Sequence, residues 1–299
     1  MQKISSRRAV DCHVHIVGPA CRFPQVEGRA YTAPLATVDS LLTRSRPLGV
    51  CRYVLVQPSF YGLDNSCILE ALGILGEDAR AVVVMDAASM TAAQIEQIQR
   101  RGVCGVRINS YSKFNALGTD LLEDSIAKLG AKLPSSGWHL EILASLPGLL
   151  RARNAIARAK VPIVIDHFGL PHDTNPDSDA GKRLLEIVGW PHVWIKLSAP
   201  YRFLPDPLAT QGPSDWLTEI LRVAPDRCLW GSDWPHTPAF ENQKGADVEV
   251  PYRALEYSQL LSNFVDAVPD IALAERILFD NPARLYGFPS ASNGQKRIT

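Results

Sequence analysis

The chain has 299 residues, 46% of them hydrophobic and 21% charged, which supplies apolar matter for a large core and excludes the composition of a disordered chain. Its 31 lysines and arginines balance 31 aspartates and glutamates, so no global field draws it to nucleic acid or to a membrane, and a small-molecule partner is favoured. Six scattered cysteines without a CxxC pair, and an N-terminus (MQKISSRRAVDC) with no apolar run behind its arginines, fit reduced thiols in a cytoplasmic protein.

In chain order, β-rich runs alternate with helical ones. AVDCHVHI, RYVLVQP, AVVVMD, CGVRIN, WHLEIL, PIVIDHFG, VWIKLS and CLWGSDWP are the candidate strands. Between them, segments such as TAAQIEQIQRRG, DLLEDSIAKLGAKL, GLLRARNAIARAK, KRLLEIVG and SDWLTEILRVA carry apolar residues at helical spacing. Strand then helix, eight times over, predicts a (β/α)₈ TIM barrel of the α/β class. A doubly wound open sheet gives the same alternation, but the first strand lacks the GxGxxG loop of a dinucleotide fold. With no internal repeat and no low-complexity linker, residues 1–299 read as one domain, with 290–299 (SASNGQKRIT) as a frayed tail. The long polar segments LPHDTNPDSDA and HTPAFENQKGADVEVPY are the expected lids over the barrel mouth.

In such a barrel, reactive groups sit where strands end and βα loops begin. The polar residues at those ends are His13 and His15; Gln57 and Ser59; Asp86; Arg107 and Asn109; Asp166 and His167; Lys196 and Ser198, with Tyr201 and Arg202 just beyond; and Ser232, Asp233 and His236. Side chains in a strand alternate with period two, so Asp11, His13 and His15 are expected to point together toward the barrel axis. In IDHFG the alternation leaves Asp166 and His167 as rivals for the mouth. His167 is the choice, with Asp166 as a structural partner. Asp233, set where the strand must stop before Pro235, either caps the next segment or faces the pocket as a base. His139 begins its strand and so belongs to the barrel floor.

These residues resemble the amidohydrolase superfamily, with His-X-His on the first strand, a histidine on the sixth and an aspartate on the eighth. The likeness extends to the branch of 2-pyrone-4,6-dicarboxylate lactonases and sugar-lactone hydrolases through DCHVHIVGP, YTAPLATVDSLL, GVRIN, WHLEIL, IDHFG, VWIKLSAPYR, WGSDWPH and NPARLYGF. The resemblance implies a barrel that hydrolyses a lactone without a metal. Its branch also includes a lactone isomerase.

Metal-dependent amidohydrolases complete their site with a carboxylated lysine or glutamate after the fourth strand or a histidine ending the fifth. Here the fourth strand offers Arg107, whose guanidinium cannot coordinate, and the fifth ends in Ile142 and Leu143. What remains, His13, His15, His167 and Asp233, could hold one divalent ion, zinc or manganese. The reading without a cofactor makes the imidazoles donors to a carbonyl oxygen, and Arg107 beside them favours an anionic substrate over a second cation.

The expected reaction is hydrolysis of a carboxylated lactone, a 2-pyrone-4,6-dicarboxylate or a sugar-acid lactone. Asp233 activates water while His13, His15 and His167 stabilise the developing oxyanion. By resemblance, Arg107, Arg202, Tyr31, Ser59 and Lys113 meet the substrate. Lys113 stands near where the pyrone lactonase has an arginine, which leaves sugar-acid lactones open. The rivals are a lactone isomerase, a metal-dependent decarboxylase and a barrel that binds a small molecule without turnover.

Overall fold

The computed structural model describes residues 9–111, 122–134, 137–203, 215–238, 242 and 245–288. Eight parallel strands lie in sequence order: β1 Ala9–Val14, β2 Val50–Val56, β3 Ala79–Val83, β4 Val103–Asn109, β5 His139–Leu143, β6 Ile163–Ile165, β7 Val193–Ser198 and β8 Cys228–Gly231. Nearly every strand residue is buried, as apolar runs rich in valine and isoleucine require when a parallel sheet has its interior on one side and helices on the other. The ends of β1 and β8 meet through His15 N–H to Trp234 O at 2.8 Å and Asp233 N–H to His13 O at 2.9 Å. The result is the (β/α)₈ barrel expected from the alternation.

Helices follow the strands where the sequence places them, among them Ala92–Gln99, Leu122–Gly130, Asp179–Gly189 and Asp215–Val223. Several start on a side-chain cap, which gives an otherwise unsatisfied first-turn amide a partner. Thr37 accepts from Ser40 N–H, Ser178 from Gly181 N–H, and Thr91 forms a reciprocal capping box with Gln94. The segment GLLRARNAIARAK is divided into two short helices, Leu146–Arg151 and Arg153–Arg158. No helix among the described residues is long and apolar enough to cross a membrane.

The lower barrel is filled by Val10, Cys12, Val54, Val56, Val82, Cys104, Val164, Trp194 and Leu229, closed below by Tyr286 and Phe288. His139 stands on this floor, its ring 5.4 Å from that of Tyr286, as its place at the start of β5 predicted. Later residues on most of these strands are polar, and Arg107, Glu141, Asp166, Lys196 and Asp233 lie above this floor.

One expectation about β1 is corrected. Val10 and Cys12 face the interior, so Asp11 between them faces the helix layer, where its carboxylate accepts from Tyr257 Oη–H at 2.7 Å and Ser232 N–H at 2.9 Å. Against β2 the pairing runs from Asp11 opposite Tyr53 to Val14 opposite Leu55, three residues against two. That extra residue shifts the alternation, and His13 turns inward directly after Cys12. The period-two rule failed because it assumed a regular strand.

Gly231 on β8 makes room for this arrangement. A Cβ there would lie 2.7 Å from His13 Cβ and 3.0 Å from His13 N. Gly231→Ala is therefore expected to lower stability by about 1–3 kcal/mol through overpacking, read as a lower urea midpoint. A midpoint equal to wild type would contradict the tight β1–β8 approach.

Candidate active site

His13, His15, His167 and Asp233 converge at the C-terminal end of the barrel, all buried. Asp233 Oδ1 lies 3.6 Å from His13 Nε2, 3.5 Å from His15 Nε2 and 3.8 Å from His167 Nε2, and has no hydrogen-bond partner among the described residues. Oδ2 is fully engaged. It accepts from Tyr201 Oη–H at 2.7 Å and from Arg202 Nε–H at 3.0 Å and Nη2–H at 2.5 Å. The carboxylate thus has one clamped oxygen and one open oxygen facing three imidazoles. Asp233 does not cap a helix, and its backbone sits at φ 58°, a left-handed conformation that costs a non-glycine residue about 1–2 kcal/mol.

Asp166 and His167 both enter the barrel. Alternation after Val164 sends Asp166 inward and would send His167 out, but His167 takes φ 51°, which turns its ring back over the mouth. Its Nδ1 lies 2.8 Å from Ser198 Oγ. Asp166 takes a structural place, accepting from Arg107 Nη2–H at 3.2 Å. His15 donates from Nδ1 to Val56 O at 2.7 Å, because a carbonyl can only accept. A neutral His15 therefore presents a lone pair at Nε2.

The two arginines expected to meet substrate are both joined to acidic side chains. Arg107 also donates to Gln57 O at 3.0 Å, and its side chain is only 4% exposed. Arg202 donates to Thr237 Oγ1 at 2.7 Å and holds Asp233, yet 20% of its side chain remains open, so it is the arginine of the two that a ligand can reach. Tyr31 is buried edge-to-face on Phe60, with ring centroids 5.9 Å apart. Burial raises its hydroxyl pKa, against the field of the nearby Arg202. Ser59 begins the short turn Ser59–Tyr61 and is half-buried. Lys113 lies outside the described residues.

Three participants had no assigned role in the sequence: Tyr201, which clamps Asp233; Lys196; and Glu141, whose carboxylate pairs with Lys196 inside the barrel. Tyr201 and Lys196 are legible as polar groups at a strand end, but their partners are set by cross-barrel distances that no local pattern encodes. His236, also at that end, is buried with its ring 6.1 Å from Tyr201.

Burial alone would raise the Asp233 carboxyl pKa. The Arg202 guanidinium outweighs it and holds the group well below the usual carboxylate range, so it is ionised. Burial lowers His167 to about 3 against the pull of Asp233 and Asp166. His13 is lowered by burial and by Lys196, and His236 by burial to about 4. These imidazoles are neutral at physiological pH.

Ligand atoms of His13, His15 and Asp233, and of His13, Asp166 and His167, lie within 4.8 Å of one another. Imidazole nitrogens with a carboxylate oxygen suit zinc or manganese, and His15 gives its other N–H to a carbonyl as ligating histidines do. In donor chemistry the residues fit a divalent ion.

A family model described as amidohydrolase matches residues 10–288. The chain belongs to the amidohydrolase family. This amidohydrolase is 33% identical to a 4-sulfomuconolactone hydrolase from Rhizobium radiobacter over 288 residues, 93% of this chain and 90% of that protein. It is 30% identical to a 2-pyrone-4,6-dicarboxylate hydrolase from Comamonas testosteroni over 289 residues, again 93% and 90% of the two chains. A crystal structure from Pseudomonas putida, described as a 2-pyrone-4,6-dicarboxylic acid hydrolase, matches with a TM-score of 0.75 and 26% identity, covering 94% of this chain and 98% of that one.

The shifted groups fix an acid response. A histidine whose folded pKa is depressed contributes stability that is full above its unfolded value near 6.5 and is lost as pH falls toward the folded value. His13, His167 and His236 act in this sense. Asp11, which burial raises to about 6 despite its bonds from Ser232 and Tyr257, acts in the opposite one and loses its contribution as pH rises from about 4 to about 6. The histidines outnumber it, so unfolding near pH 5 should take up about two protons and stability should fall as pH drops from about 6.5 to about 4. Urea midpoints measured across that range check this, and a midpoint that rises on acidification would contradict it.

Proposed function

We propose that the protein hydrolyses the ester ring of a small anionic lactone, with water activated by Asp233 and no metal required. The observation that carries this reading is the open Oδ1 of an ionised carboxylate, 3.5–3.8 Å from three imidazole nitrogens. The names of both sequence relatives describe enzymes that act on lactones or pyrones bearing sulfonate or carboxylate groups, which supports the substrate class.

In this mechanism one water lies between Asp233 Oδ1 and the lone pair of His15 Nε2, two acceptors that together orient its oxygen toward the ester carbon. Asp233 takes the proton as the water attacks. His13 and His167 donate to the carbonyl oxygen, where negative charge develops, each worth a few kcal/mol in the transition state. The ring C–O bond then breaks, and the proton held on Asp233 is available to the leaving oxygen. Arg202 keeps Asp233 ionised, and its open face attracts an acidic substituent of the substrate. Arg107 acts from beneath by holding Asp166.

A divalent ion on His13, His15, His167 and Asp233 would supply Lewis-acid polarisation of the ester carbonyl. The charges already present support the metal-free reading, since Arg202 neutralises Asp233 and the Arg107–Asp166 and Lys196–Glu141 pairs balance beneath the imidazoles, leaving no net negative charge to draw a further cation.

Asp233→Asn should lower kcat for ring opening by about 10²–10⁴-fold while ligand binding survives. A near-wild-type rate, followed by acid release across pyrones, aldonolactones and aldarolactones, would remove Asp233 as the base. Wild-type enzyme stripped with a chelator should keep its rate. Loss of activity that zinc or manganese restores would contradict the metal-free step and leave the lactone substrate standing.

A further inference from the structure

Beneath the imidazoles, four buried side chains alternate in charge. Lys196 Nζ donates to Glu141 Oε2 and lies 3.3 Å from Asp166 Oδ1. Arg107 closes the ring, 3.2 Å from Asp166 Oδ2 and 4.0 Å from Glu141 Oε1. Two cations and two anions so placed compensate one another in a region without solvent.

The ring reaches upward at one point. Lys196 Nζ is 3.0 Å from His13 Nδ1 in hydrogen-bond geometry. Asp166 Oδ1 is 3.3 Å from the same nitrogen, but that contact lies outside hydrogen-bond geometry, and the atom has no hydrogen-bond partner among the described residues. A lysine ammonium has three donors and no acceptor, so its bond to an imidazole requires a lone pair on Nδ1. In a neutral imidazole that leaves the ring proton on Nε2. His13 Nε2 has no hydrogen-bond partner among the described residues and faces Asp233 Oδ1 at 3.6 Å.

We propose that Lys196 is a positioning residue that holds His13 as the Nε2–H tautomer, so that His13 meets the substrate as a hydrogen-bond donor. The functional part of this proposal rests on the lactone-opening reading of the mouth. His15, with Nδ1–H fixed on Val56 O, has the opposite tautomer. The two histidines of one His-X-His motif are thereby given different work: His13 donates to the carbonyl oxygen and His15 accepts from water.

The test is a long-range ¹H–¹⁵N correlation spectrum of chelator-treated, histidine-labelled protein without substrate, with His13 identified by its loss in His13→Gln. Wild type is expected to show His13 protonated at Nε2 and bare at Nδ1. Lys196→Met, or the charge-balanced pair Lys196→Met with Glu141→Gln, should move the proton to Nδ1, beside Asp166. The same variants should lower kcat about 10²-fold with KM changed by less than about 3-fold. A wild-type His13 protonated at Nδ1 overturns the proposal, as does an unchanged tautomer in either variant. The spectrum needs no turnover. A wild-type protein that shows the Nε2–H tautomer but opens no lactone counts against the proposed activity and bears out the role of Lys196.

Discussion

An ionised carboxylate with none of its surface exposed is costly unless other charges and donors meet it, and Asp233 is such a group. Arg202 and Tyr201 meet one oxygen and leave the other to the three histidines. The junction of β1 and β8 follows from the same constraint, since the backbone bonds of Asp233 to His13 and of His15 to Trp234 deliver the acid and the imidazoles to one point. Strained backbone at Asp233 and His167 is held by this surrounding structure, and both residues bear on the reaction site.

The interior is arranged in tiers along the barrel. An apolar plug fills the floor, the charged ring of Lys196, Glu141, Arg107 and Asp166 lies above it, and the histidines with Asp233 occupy the mouth. The ring is balanced in charge but not in position, because its lysine is the member that touches His13. A buried network of this kind need not add stability over an apolar core of equal volume. Here its value is electrostatic preorganisation, with donors and acceptors fixed before substrate arrives.

Much of this was legible in the sequence. The eight strands were, because each is a short apolar run bounded by helical periodicity. The four residues of the mouth were, because the chemistry of a parallel barrel collects at strand ends. The failures share a cause. Asp11 was placed inward because one extra residue in β1 is invisible to a period-two pattern. Asp166 and His167 were treated as rivals, although a left-handed backbone at His167 admits both. The acids that Arg107 and Arg202 hold went unforeseen, since they lie 59 and 31 residues away in sequence. Lys196 and Glu141, 55 residues apart, find each other only across the closed barrel.

The account stands on Asp233 Oδ1 as the base beside a metal-free oxyanion site, and a crystal structure of the chelator-treated Asp233→Asn protein holding an intact lactone addresses that most directly. The ester carbon should lie over residue 233, with the carbonyl oxygen turned to His13 and His167 and an acidic substituent toward Arg202. An ester carbonyl turned away from both histidines, or a transition-metal ion retained between the His-X-His pair and bound to that oxygen, would contradict it.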